Sequence, residues 1–574
     1  MKTADLWLSS PKSAFRFGLV AVFLAALIPY SAVYTFEYVL WDDNVYLLER
    51  PEIHGGLTGD GIKWAFTTFQ NANWHPLTWL SYMLEIELCG LNPGVMHLTN
   101  LGLHCLNTAL VACVLNGLTG NRGLSLGVAL LFGVHPQHVE AVAWVSERKE
   151  LLCIFFGLQS MLVWQWSRMS GKLLHRVFAY SLFVLSLLSK QMLVTLPFLL
   201  VVLAVCPLKS DDHQIQWKRI AHAVRSVWCY FLLAFGFTVA VFAAQRSGDA
   251  IISIDVLPIR FRLANAAQSL VLYVVQTFVP LRLSPFYRHS MIDTSIWLAL
   301  VCCAILLAAG VWVFRNRRHP GILAGSLWFV GTLVPVIGIV QLGAASRADR
   351  YVYFPHIGLF LCIGSLPIFQ KKRRTIAVAS LLLVAATCCS ILTWRQSQIW
   401  RNSISLWTAC LEADPDSFRG HEQLALALLV DEQIDKALTE SQIALRYIEN
   451  RSLGGSYTTL GCAQLFSGDI ESAVKNLREA IRIRPDDYRA LINLGYALRM
   501  TNLSESKRLF AQALEYSPMS VEAMGNLANC EAEEGNFAAA IELLRTAMKI
   551  DSENTQLKEN LRTFQEAQRL NPSP

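Results

Sequence analysis

Two adjacent carboxylates, Asp42 and Asp43, follow shortly after the first long apolar segment of the chain, Phe15 to Tyr34. A positioned carboxylate can accept the proton of a hydroxyl group, and such general-base assistance is worth roughly 10²–10⁴ in rate. Either side chain could instead cap a helix or face water where the chain leaves a membrane. We take the pair as candidate catalytic residues, with Asp43 as the first choice of base.

Further candidates lie in other polar stretches that interrupt the apolar pattern. They are His75, His135, His138, Glu140, Glu147, Arg148, Lys149, Lys190, Arg347, Asp349, Arg350 and Tyr351. Ionisable groups at a membrane boundary cost free energy, so they normally have a partner or a task. We therefore expect these side chains to bind a substrate.

Three of these residues, His135, His138 and Glu140, are of types that bind metals. A divalent metal near Asp42, Asp43, His135 and His138 is one interpretation, although on a helix only the two histidines would be well placed. Hydrogen bonding to a substrate, or orienting the aspartates, is the alternative that we favour.

Plainer interpretations stay open for the other candidates. His75 can lie at an interface where its Trp neighbours act as anchors. Glu147 beside Arg148 can be an ordinary surface pair. Arg350 and Tyr351 can anchor a helix end. Lys190 is harder to explain in this way, because the turn predicted between its two apolar flanks is so short.

The composition is that of an integral membrane protein with a soluble part. Of the 574 residues, 53% are hydrophobic and 16% are charged, and the mean hydropathy is +0.38. Soluble proteins carry about a quarter charged residues. The net charge of +6 comes from Lys and Arg in short loops rather than from one basic face, so the pattern gives no reason to expect nucleic acid. The 14 cysteines show no zinc-binding spacing.

The apolar pattern predicts about eleven membrane crossings, since a spanning helix needs about 20 mostly apolar residues. The candidate segments are 15–35, 98–118, 124–143, 150–167, 177–189, 191–206, 226–244, 265–282, 295–314, 321–340, 351–368 and 375–394. Segment 265–282 is expected to lie in the interface or to re-enter, because only then do the counts from both ends agree.

Basic loops set the predicted orientation, since Lys and Arg favour the cytoplasmic side. Lys2, Lys12 and Arg16 place the N-terminus in the cytoplasm, and the stretches 168–176, 207–219, 314–320 and 370–374 are also basic. The segments 36–97, 135–149, 189–191, 245–294 and 341–350 then lie on the outer side, together with the C-terminal part. All the candidate stretches therefore share one membrane face.

The sequence after Trp400 repeats with a period typical of paired helices. Leu460-Gly461, Leu494-Gly495 and Leu527-Ala528 recur at intervals of about 34 residues, and Pro485 and Pro518 close successive units. This pattern resembles the tetratricopeptide repeat (TPR), and residues 405–450 fit a more diverged unit. The predicted fold is therefore all-α, with a polytopic membrane domain over 1–399 and a TPR solenoid over 400–574 that stacks into a concave groove.

The motifs "WDDNVY", "NWHPLTW", "HPQHVEAVAWVSERKE" and "ADRYVYFPHIGL", in this order and followed by repeats, resemble the transmembrane and TPR-containing O-mannosyltransferases (TMTC) and their bacterial relatives. The resemblance covers nearly the whole chain. The long loops of animal members are missing, which favours a compact bacterial homologue in an inner membrane over a protein of the endoplasmic reticulum.

The resemblance implies a GT-C glycosyltransferase fold. Such enzymes pass a sugar, here with mannose favoured, from a polyprenyl phosphate to a hydroxyl acceptor on the outer side of the membrane. An acidic residue of the first outer loop acts as base or metal ligand, and Asp42 and Asp43 match it by position. Cations would hold the lipid phosphate as its charge grows, and Arg does so bidentately. Membrane lipid and a protein or peptide acceptor, which the TPR groove could hold, are the expected partners.

Two other functions stay open at this point. A transporter would also use charges within a membrane, but here the charges gather at one face and the halves of the chain do not match. A non-catalytic membrane scaffold would use the repeats as its working part. The arrangement of Asp42, Asp43, His138 and Arg350 distinguishes these functions, since an enzyme should bring them to one site.

Overall fold

The computed structural model describes residues 11–69, 73–209, 219–247, 257–289, 296–341, 343, 345–369, 375–447, 453–551 and 554–570. Within these ranges the chain is almost wholly helical and divides into two compact units, Met1–Leu406 and Trp407–Pro574. The basic stretches 210–218 and 370–374, on which part of the predicted orientation depends, lie outside the described residues.

Four segments among the described residues are long and apolar enough to cross a membrane, and a bent helix pair makes a fifth candidate. The four are Ser13–Thr35, Pro93–Thr119, Ile296–Arg315 and Ile376–Gln398, and the bent pair joins Ile220–Ser226 to Trp228–Phe242 at 63°. Arg122–Gly133, Leu173–Ser189, Gln191–Val205, Pro320–Leu333 and Pro355–Gly364 are shorter apolar helices. The chain is thus a membrane protein with four or five candidate spans.

The helices of the first unit are numbered in chain order. They are α1 (Pro11–Leu27), α2 (Pro51–His54), α3 (Gly59–Thr67), α4 (Pro76–Cys89), α5 (Pro93–Thr119), α6 (Arg122–Gly133), α7 (Val139–Ala143), α8 (Arg148–Ser170), α9 (Leu173–Ser189), α10 (Leu196–Val205), α11 (Ile220–Ser226), α12 (Trp228–Ser247), α13 (Ile259–Phe278), α14 (Ile296–Arg315), α15 (Pro320–Leu333), α16 (Pro355–Gly364) and α17 (Thr375–Gln398).

Several predicted spans were drawn too long. The segment predicted over 124–143 is a helix only to Gly133, because Pro136 has no amide hydrogen to continue it. Pro335 has the same effect on the segment predicted over 321–340, whose helix ends at Leu333. In the segment predicted over 351–368, the helix begins only at Pro355, which suits the first turn of a helix.

The segment after α6 forms short turns that lie buried inside the first unit. A 3-10 turn at Pro136–His138 leads into α7, and a second 3-10 turn at Val145–Glu147 leads into α8. A third, at Asp349–Val352, packs against the same segment. Buried irregular backbone at membrane depth is tolerated where protein surrounds it, and here it presents polar side chains to the interior.

The loop between α1 and α5 has a small core of its own. Around Trp79, which is fully buried, pack Tyr46, Tyr82, Met83 and Val145. Residues Asn44–Leu48 form one π-helical turn. Elsewhere in this unit a two-stranded antiparallel hairpin pairs β1 (Tyr287–Arg288) with β2 (Ala345–Arg347). The loop carries Asp42, Asp43 and His75, and the hairpin carries Tyr287 and Arg347.

The second unit consists of helix pairs, as the repeat pattern predicts. Its helices are α18 (Ser403–Ala413), which begins in the first unit, α19 (Phe418–Val430), α20 (Ile434–Arg446), α21 (Leu453–Ser467), α22 (Ile470–Ile483), α23 (Tyr488–Leu498), α24 (Leu503–Tyr516), α25 (Val521–Glu533), α26 (Phe537–Ile550) and α27 (Thr555–Leu570). Gly468 and Gly535 join paired helices with φ of +88° and +85°, which a glycine adopts without strain.

Candidate active site

Asp43 is locked into the backbone of the first unit. Its carboxylate accepts hydrogen bonds from the Val39 amide at 3.1 Å and the Ser146 amide at 2.9 Å, and it also accepts one from the Ser146 hydroxyl. Burial raises the pKa of Asp43 to about 6, although these hydrogen bonds oppose the shift. Since it accepts three hydrogen bonds and the side chain is fully buried, Asp43 ties the loop between α1 and α5 to the turn at Val145–Glu147.

Asp42 is the more accessible of the two aspartates. It is half-buried, and unlike Asp43 it is held by no side-chain hydrogen bond among the described residues. Its negative charge acts on Lys149 and on the Tyr46 hydroxyl. The structure therefore favours Asp42 over Asp43 for any role that requires a carboxylate open to a reactant.

Glu147 is the centre of a cluster of six charged residues. Its carboxylate lies 2.9 Å from Lys190 Nζ, 3.3 Å from Lys149 Nζ and 3.3 Å from Arg350 Nε. The Glu147 cluster comprises Glu140, Glu147, Glu150, Lys149, Lys190 and Arg350. Lys190 also lies 2.9 Å from Glu150, and the Arg350 guanidinium pairs with Glu140. Three acids thus balance three cations.

The electrostatics of the Glu147 cluster favour the charged forms of Glu147, Lys190 and Arg350. Burial works against the charged form of Glu147, yet the three cations hold its pKa below the ordinary value. Burial likewise opposes the charge of Lys190, but Glu147 and Glu150 raise the pKa of that amine. Glu140 and Glu147 raise the pKa of Arg350 in the same way. A cluster of buried charged groups of this kind is typical of a functional site and can bind an ionic substrate.

The cluster connects directly to the aspartates. Ser146, which binds Asp43, precedes Glu147 in the chain, and Arg350 reaches Glu147 from a different polar stretch. The loop that carries Asp42 and Asp43 and the stretch around Arg350 therefore meet at Ser146 and Glu147. Lys190 lies at the short break between α9 and the 3-10 turn Gln191–Thr195, and it joins the Glu147 cluster from there.

Aromatic rings line the cluster on the side of Trp144. Trp41 stacks on Trp144 with 4.5 Å between ring centroids, and the Arg350 guanidinium lies 5.3 Å from the Trp144 centroid. Lys149 Nζ lies 4.5 Å from the centroid of Tyr46. Such cation–π contacts fix the position of a cation without neutralising its charge.

His75 stacks in an aromatic column and has no ionic partner among the described residues. The centroid of its ring lies 5.4 Å from that of Tyr46 and 5.0 Å from that of Trp79. Its Nε2 is buried and has no hydrogen-bond partner among the described residues. Burial lowers the pKa of His75 well below its ordinary value, and the charges of Lys149 and Lys190 add to this effect. His75 is therefore a neutral wall of the site.

Arg148 has a structural role, contrary to its expected place among the substrate-binding cations. Its guanidinium is 1% exposed and pairs with Glu85, and it also donates to Asn100 Oδ1 and Met96 O at 3.0 Å each. Every one of these partners is internal. The suggested surface pair of Glu147 with Arg148 is wrong as well, since Glu147 pairs with the three other cations.

His135 and His138 belong to a separate buried chain of hydrogen bonds. His138 Nδ1 donates to Phe132 O at 2.8 Å, and its Nε2 lies 3.0 Å from His356 Nδ1. His356 Nε2 lies 3.0 Å from the Thr277 hydroxyl, and His135 Nε2 donates to Thr277 O at 3.0 Å. The histidines thus bind α6 and α16 to the end of α13.

Among the described residues, the arrangement gives no support to the interpretation of a divalent metal near these histidines. The histidine nitrogens are taken up by other partners, and across the ranges that the structure describes no three His, Cys, Asp or Glu side chains are grouped to hold an ion. Of the four residues whose convergence was expected of an enzyme, Asp42, Asp43 and Arg350 lie around Glu147, whereas His138 hydrogen bonds within the histidine chain.

Asp349, Arg347 and Tyr351 surround Arg350. Asp349 accepts hydrogen bonds from the Tyr287 hydroxyl at 3.1 Å, and the Arg347 guanidinium lies 3.9 Å from the centroid of the Tyr287 ring. Burial, with Glu140 adding to it, raises the pKa of Asp349 to about 8. Tyr351 packs partly buried beside Val352, with its ring 5.0 Å from the Arg350 guanidinium.

Sequence reasoning missed several residues of this region. Ser146, Trp144 and Tyr287 carry no charge, Gln137 is an uncharged amide between Pro136 and His138, and Gln276 is an amide within an apolar run. Trp144, Ser146 and Gln137 stand inside the quoted motif "HPQHVEAVAWVSERKE". Their position beside the charged candidates of that motif could have identified them as site residues. Tyr287 and Gln276 had no such signal, because their place depends on the hairpin.

Comparison with protein families identifies the repeats. A tetratricopeptide-repeat model matches residues 458–505 and 496–555. Among solved structures, YrrB, described as a TPR protein with an unusual peptide-binding site, is 22% identical and covers 33% of this chain and 90% of its own, with a TM-score of 0.24. A thermophilic TPR protein of Thermus thermophilus is 16% identical and covers 33% and 95%, with a TM-score of 0.26.

Comparison with curated proteins extends the relationship to the membrane part. Protein O-mannosyl-transferase TMTC1 of Mus musculus is 32% identical over 28% of this chain and 19% of its own. F38B6.6 of Caenorhabditis elegans is 22% identical over 72% and 60%, and TMTC3 of Mus musculus is 21% identical over 91% and 62%. The chain spans less than two thirds of the length of these relatives. The resemblance predicted from the sequence is confirmed.

Proposed function

We propose, from its relationship to the TMTC family of protein O-mannosyl-transferases, that this chain is a membrane glycosyltransferase that moves a sugar from a polyprenyl-phosphate donor to a protein Ser or Thr hydroxyl. The relatives' names support transfer of mannose to protein. The observation that carries the donor class is the meeting of Lys149, Lys190 and Arg350 on Glu147. Three cations at one point suit a lipid phosphate.

Each group has a distinct task in the proposed reaction. Asp42 accepts the proton of the acceptor hydroxyl as that oxygen attacks the anomeric carbon. The bond between the anomeric carbon and the phosphate oxygen breaks, and the negative charge passes to the lipid phosphate. Lys190 and Arg350 stabilise that charge, because a cation placed in advance lowers the barrier without reorganisation. Asp43 holds the loop that carries Asp42.

The membrane arrangement is proposed to follow the sequence prediction, with about eleven crossings in a GT-C fold, the N-terminus in the cytoplasm and residues 400–574 outside, in a bacterial inner membrane. The burial of the candidate side chains between apolar helices supports a site at a membrane face. Labelling of a single cysteine introduced at Glu542, in whole cells of a cysteine-free variant, tests the orientation. Labelling by an impermeant reagent supports an outer location, and labelling only after lysis contradicts it.

The TPR helices are proposed to hold the acceptor polypeptide, and a scaffold role for this unit alone is the alternative. Removal of residues 407–574 distinguishes the two. Loss of transfer to protein with retained donor binding supports acceptor holding, and unchanged protein modification contradicts it.

The catalytic proposal is tested with radiolabelled polyprenyl-phosphate mannose and purified full-length protein in lipid nanodiscs. Asp42→Asn should lower the transfer rate by roughly 10²–10⁴ while donor binding stays unchanged. Lys190→Met should weaken donor binding instead. Asp60→Asn, in the first turn of α3, is the matched control for charge removal. Transfer at the wild-type rate by Asp42→Asn would refute its role as base, and binding of the donor that ignores Lys190 would refute the phosphate site.

A further inference from the structure

A group of unsatisfied polar atoms lies buried beside the Glu147 cluster. Gln137 is fully buried, and neither its Oε1 nor its Nε2 has a hydrogen bond of good geometry to any described residue. Gln276 Oε1 and Arg347 Nε are buried in the same condition. Native proteins satisfy nearly all buried polar groups, and each exception calls for an explanation.

These atoms belong to one place. Gln276 Nε2 donates to the Tyr287 hydroxyl at 3.3 Å, and that hydroxyl donates to Asp349. Arg347 lies over the Tyr287 ring, and the Gln137 amide is within weak hydrogen-bonding reach of the Asp349 carboxyl, which lowers the pKa of that carboxyl. Four elements therefore contribute: the turn Pro136–His138, the end of α13, the hairpin and the turn Asp349–Val352.

This polar group adjoins the proposed phosphate site. Asp349 is followed by Arg350, whose amide donates to Glu140 Oε2 at 2.9 Å and whose guanidinium enters the Glu147 cluster. Gln137 and Glu140 lie on the same buried segment. A ligand that reaches both places would have its anionic part at Lys190 and Arg350 and its neutral part at Gln137 and Asp349.

The chemistry of this group fits neutral hydroxyls better than an anion. A carboxamide both donates and accepts hydrogen bonds, as neighbouring hydroxyls do. Among the described residues this group contributes one cation, Arg347, which stacks on Tyr287. The neighbouring Glu140 carboxylate would repel a second anion. Because burial raises the pKa of Asp349 to about 8, this carboxyl is mostly protonated near neutral pH and can donate as well as accept.

We propose that Gln137, Gln276, Asp349 and Tyr287 form the recognition site for the hydroxyl groups of the transferred sugar, a neutral hexose. The inference rests on the proposed function and adds to it the residues that choose the sugar. Gln137 binds a sugar hydroxyl through Oε1 while its Nε2 faces Asp349, and Gln276 binds through its Oε1. The phosphate is held elsewhere, by the Glu147 cluster.

Gln137→Leu is the decisive variant. It replaces an unsatisfied buried amide with an apolar side chain of similar size, so it should fold at least as well as the wild type. The matched control is Gln159→Leu in α8, whose buried Nε2 is also unsatisfied among the described residues and which lies roughly 16 Å along the helix from Arg148.

The experiment compares the binding of two probes, polyprenyl-phosphate mannose and sugar-free polyprenyl phosphate, to full-length protein in nanodiscs. Wild type and Gln159→Leu should bind the glycosylated lipid more tightly. Gln137→Leu should lose that preference by about tenfold or more, because a site built for hydroxyls discriminates strongly, and should keep its affinity for the sugar-free lipid.

The outcomes separate the two proposals. If Gln137→Leu binds both lipids as the wild type does, the sugar site is refuted and the proposed function stands. This holds whether or not an ordered water binds the Gln137 amide. If the wild type binds neither lipid, the proposed function fails and the sugar site fails with it. If Gln137→Leu loses affinity for both lipids equally, the amide supports the phosphate site and the inference is also refuted.

Discussion

Substitution of Asp43 by Asn tests whether this residue is a structural link rather than the base. Asp43 is fully buried and its carboxylate receives three hydrogen bonds, from the Val39 amide, the Ser146 amide and the Ser146 hydroxyl. An asparagine keeps one acceptor oxygen and presents an NH2 group to the other donors. Leaving a buried donor unsatisfied costs about 1–3 kcal/mol, so part of the stability should be lost.

The pH dependence of stability gives a sharper signature. The pKa of Asp43 is about 6 in the fold and about 3.9 in an unfolded chain. A raised folded pKa means that this group stabilises the fold at low pH, and that the contribution is lost as the pH rises through about 6. Between about pH 5 and about pH 7.5 the wild type should therefore lose about 1.4 kcal/mol that Asp43→Asn, which cannot ionise, does not lose.

The measurement is the midpoint of thermal inactivation in detergent at both pH values for wild type, Asp43→Asn and Asp42→Asn. Asp42 is half-buried and without such hydrogen bonds among the described residues, so Asp42→Asn should follow the wild type at both pH values. Membrane proteins often unfold irreversibly, so the midpoints are compared at one heating rate. The reasoning is refuted if Asp42→Asn alone removes the pH dependence, or if the three proteins respond identically.

Other predictions concern stability in the two units. Arg148→Met should lower the midpoint of thermal inactivation strongly, since it leaves Glu85 buried without its partner at a cost of about 3–5 kcal/mol. Arg482→Met, which breaks the exposed pair with Glu479, should have no measurable effect. Equal losses in the two variants would contradict the structural role of Arg148. Gly468→Ala should speed amide hydrogen exchange across 453–551, because φ there is +88° and alanine pays about 1 kcal/mol or more. Gly525 lies inside α25, where an added Cβ would make ordinary van der Waals contact with Leu557. Gly525→Ala should therefore slow exchange, because alanine has the higher helix propensity. Faster exchange in Gly525→Ala than in Gly468→Ala would exclude backbone strain as the cause.

The repeat unit was readable from the sequence because each of its signals is local. Leu494-Gly495 and Leu527-Ala528 mark the same position in successive helix pairs, and Gly468 and Gly535 stand where a left-handed turn is required. A period of about 34 residues needs no knowledge of distant contacts. The membrane helices were harder, because Pro136 and Pro335 end helices inside apolar runs that hydropathy alone treats as continuous.

In the candidate site, the sequence likewise identified some residues and missed others. Charge and position found Glu147, Lys190 and Arg350, because a charged residue in an apolar setting stands out. They did not separate Arg148 from Lys149, adjacent cations of which one pairs internally with Glu85 and the other joins the Glu147 cluster. That distinction depends on which face of α8 each residue occupies. Gln137 and Tyr287 were missed because uncharged groups gain meaning only from their neighbours.

The central position of Glu147 follows from what a phosphate-releasing site requires. In the proposed reaction the lipid leaves with more negative charge on its phosphate than it carried in the donor, so three uncompensated cations would hold the product most tightly. A carboxylate at 2.9 Å from Lys190 and 3.3 Å from Arg350 competes with the phosphate for both. Glu140 and Glu150 bring the six charges to zero, so that the cations stay buried between turnovers without the cost of an unpaired charge. The same balance that makes the empty site stable is then what lets the spent lipid leave.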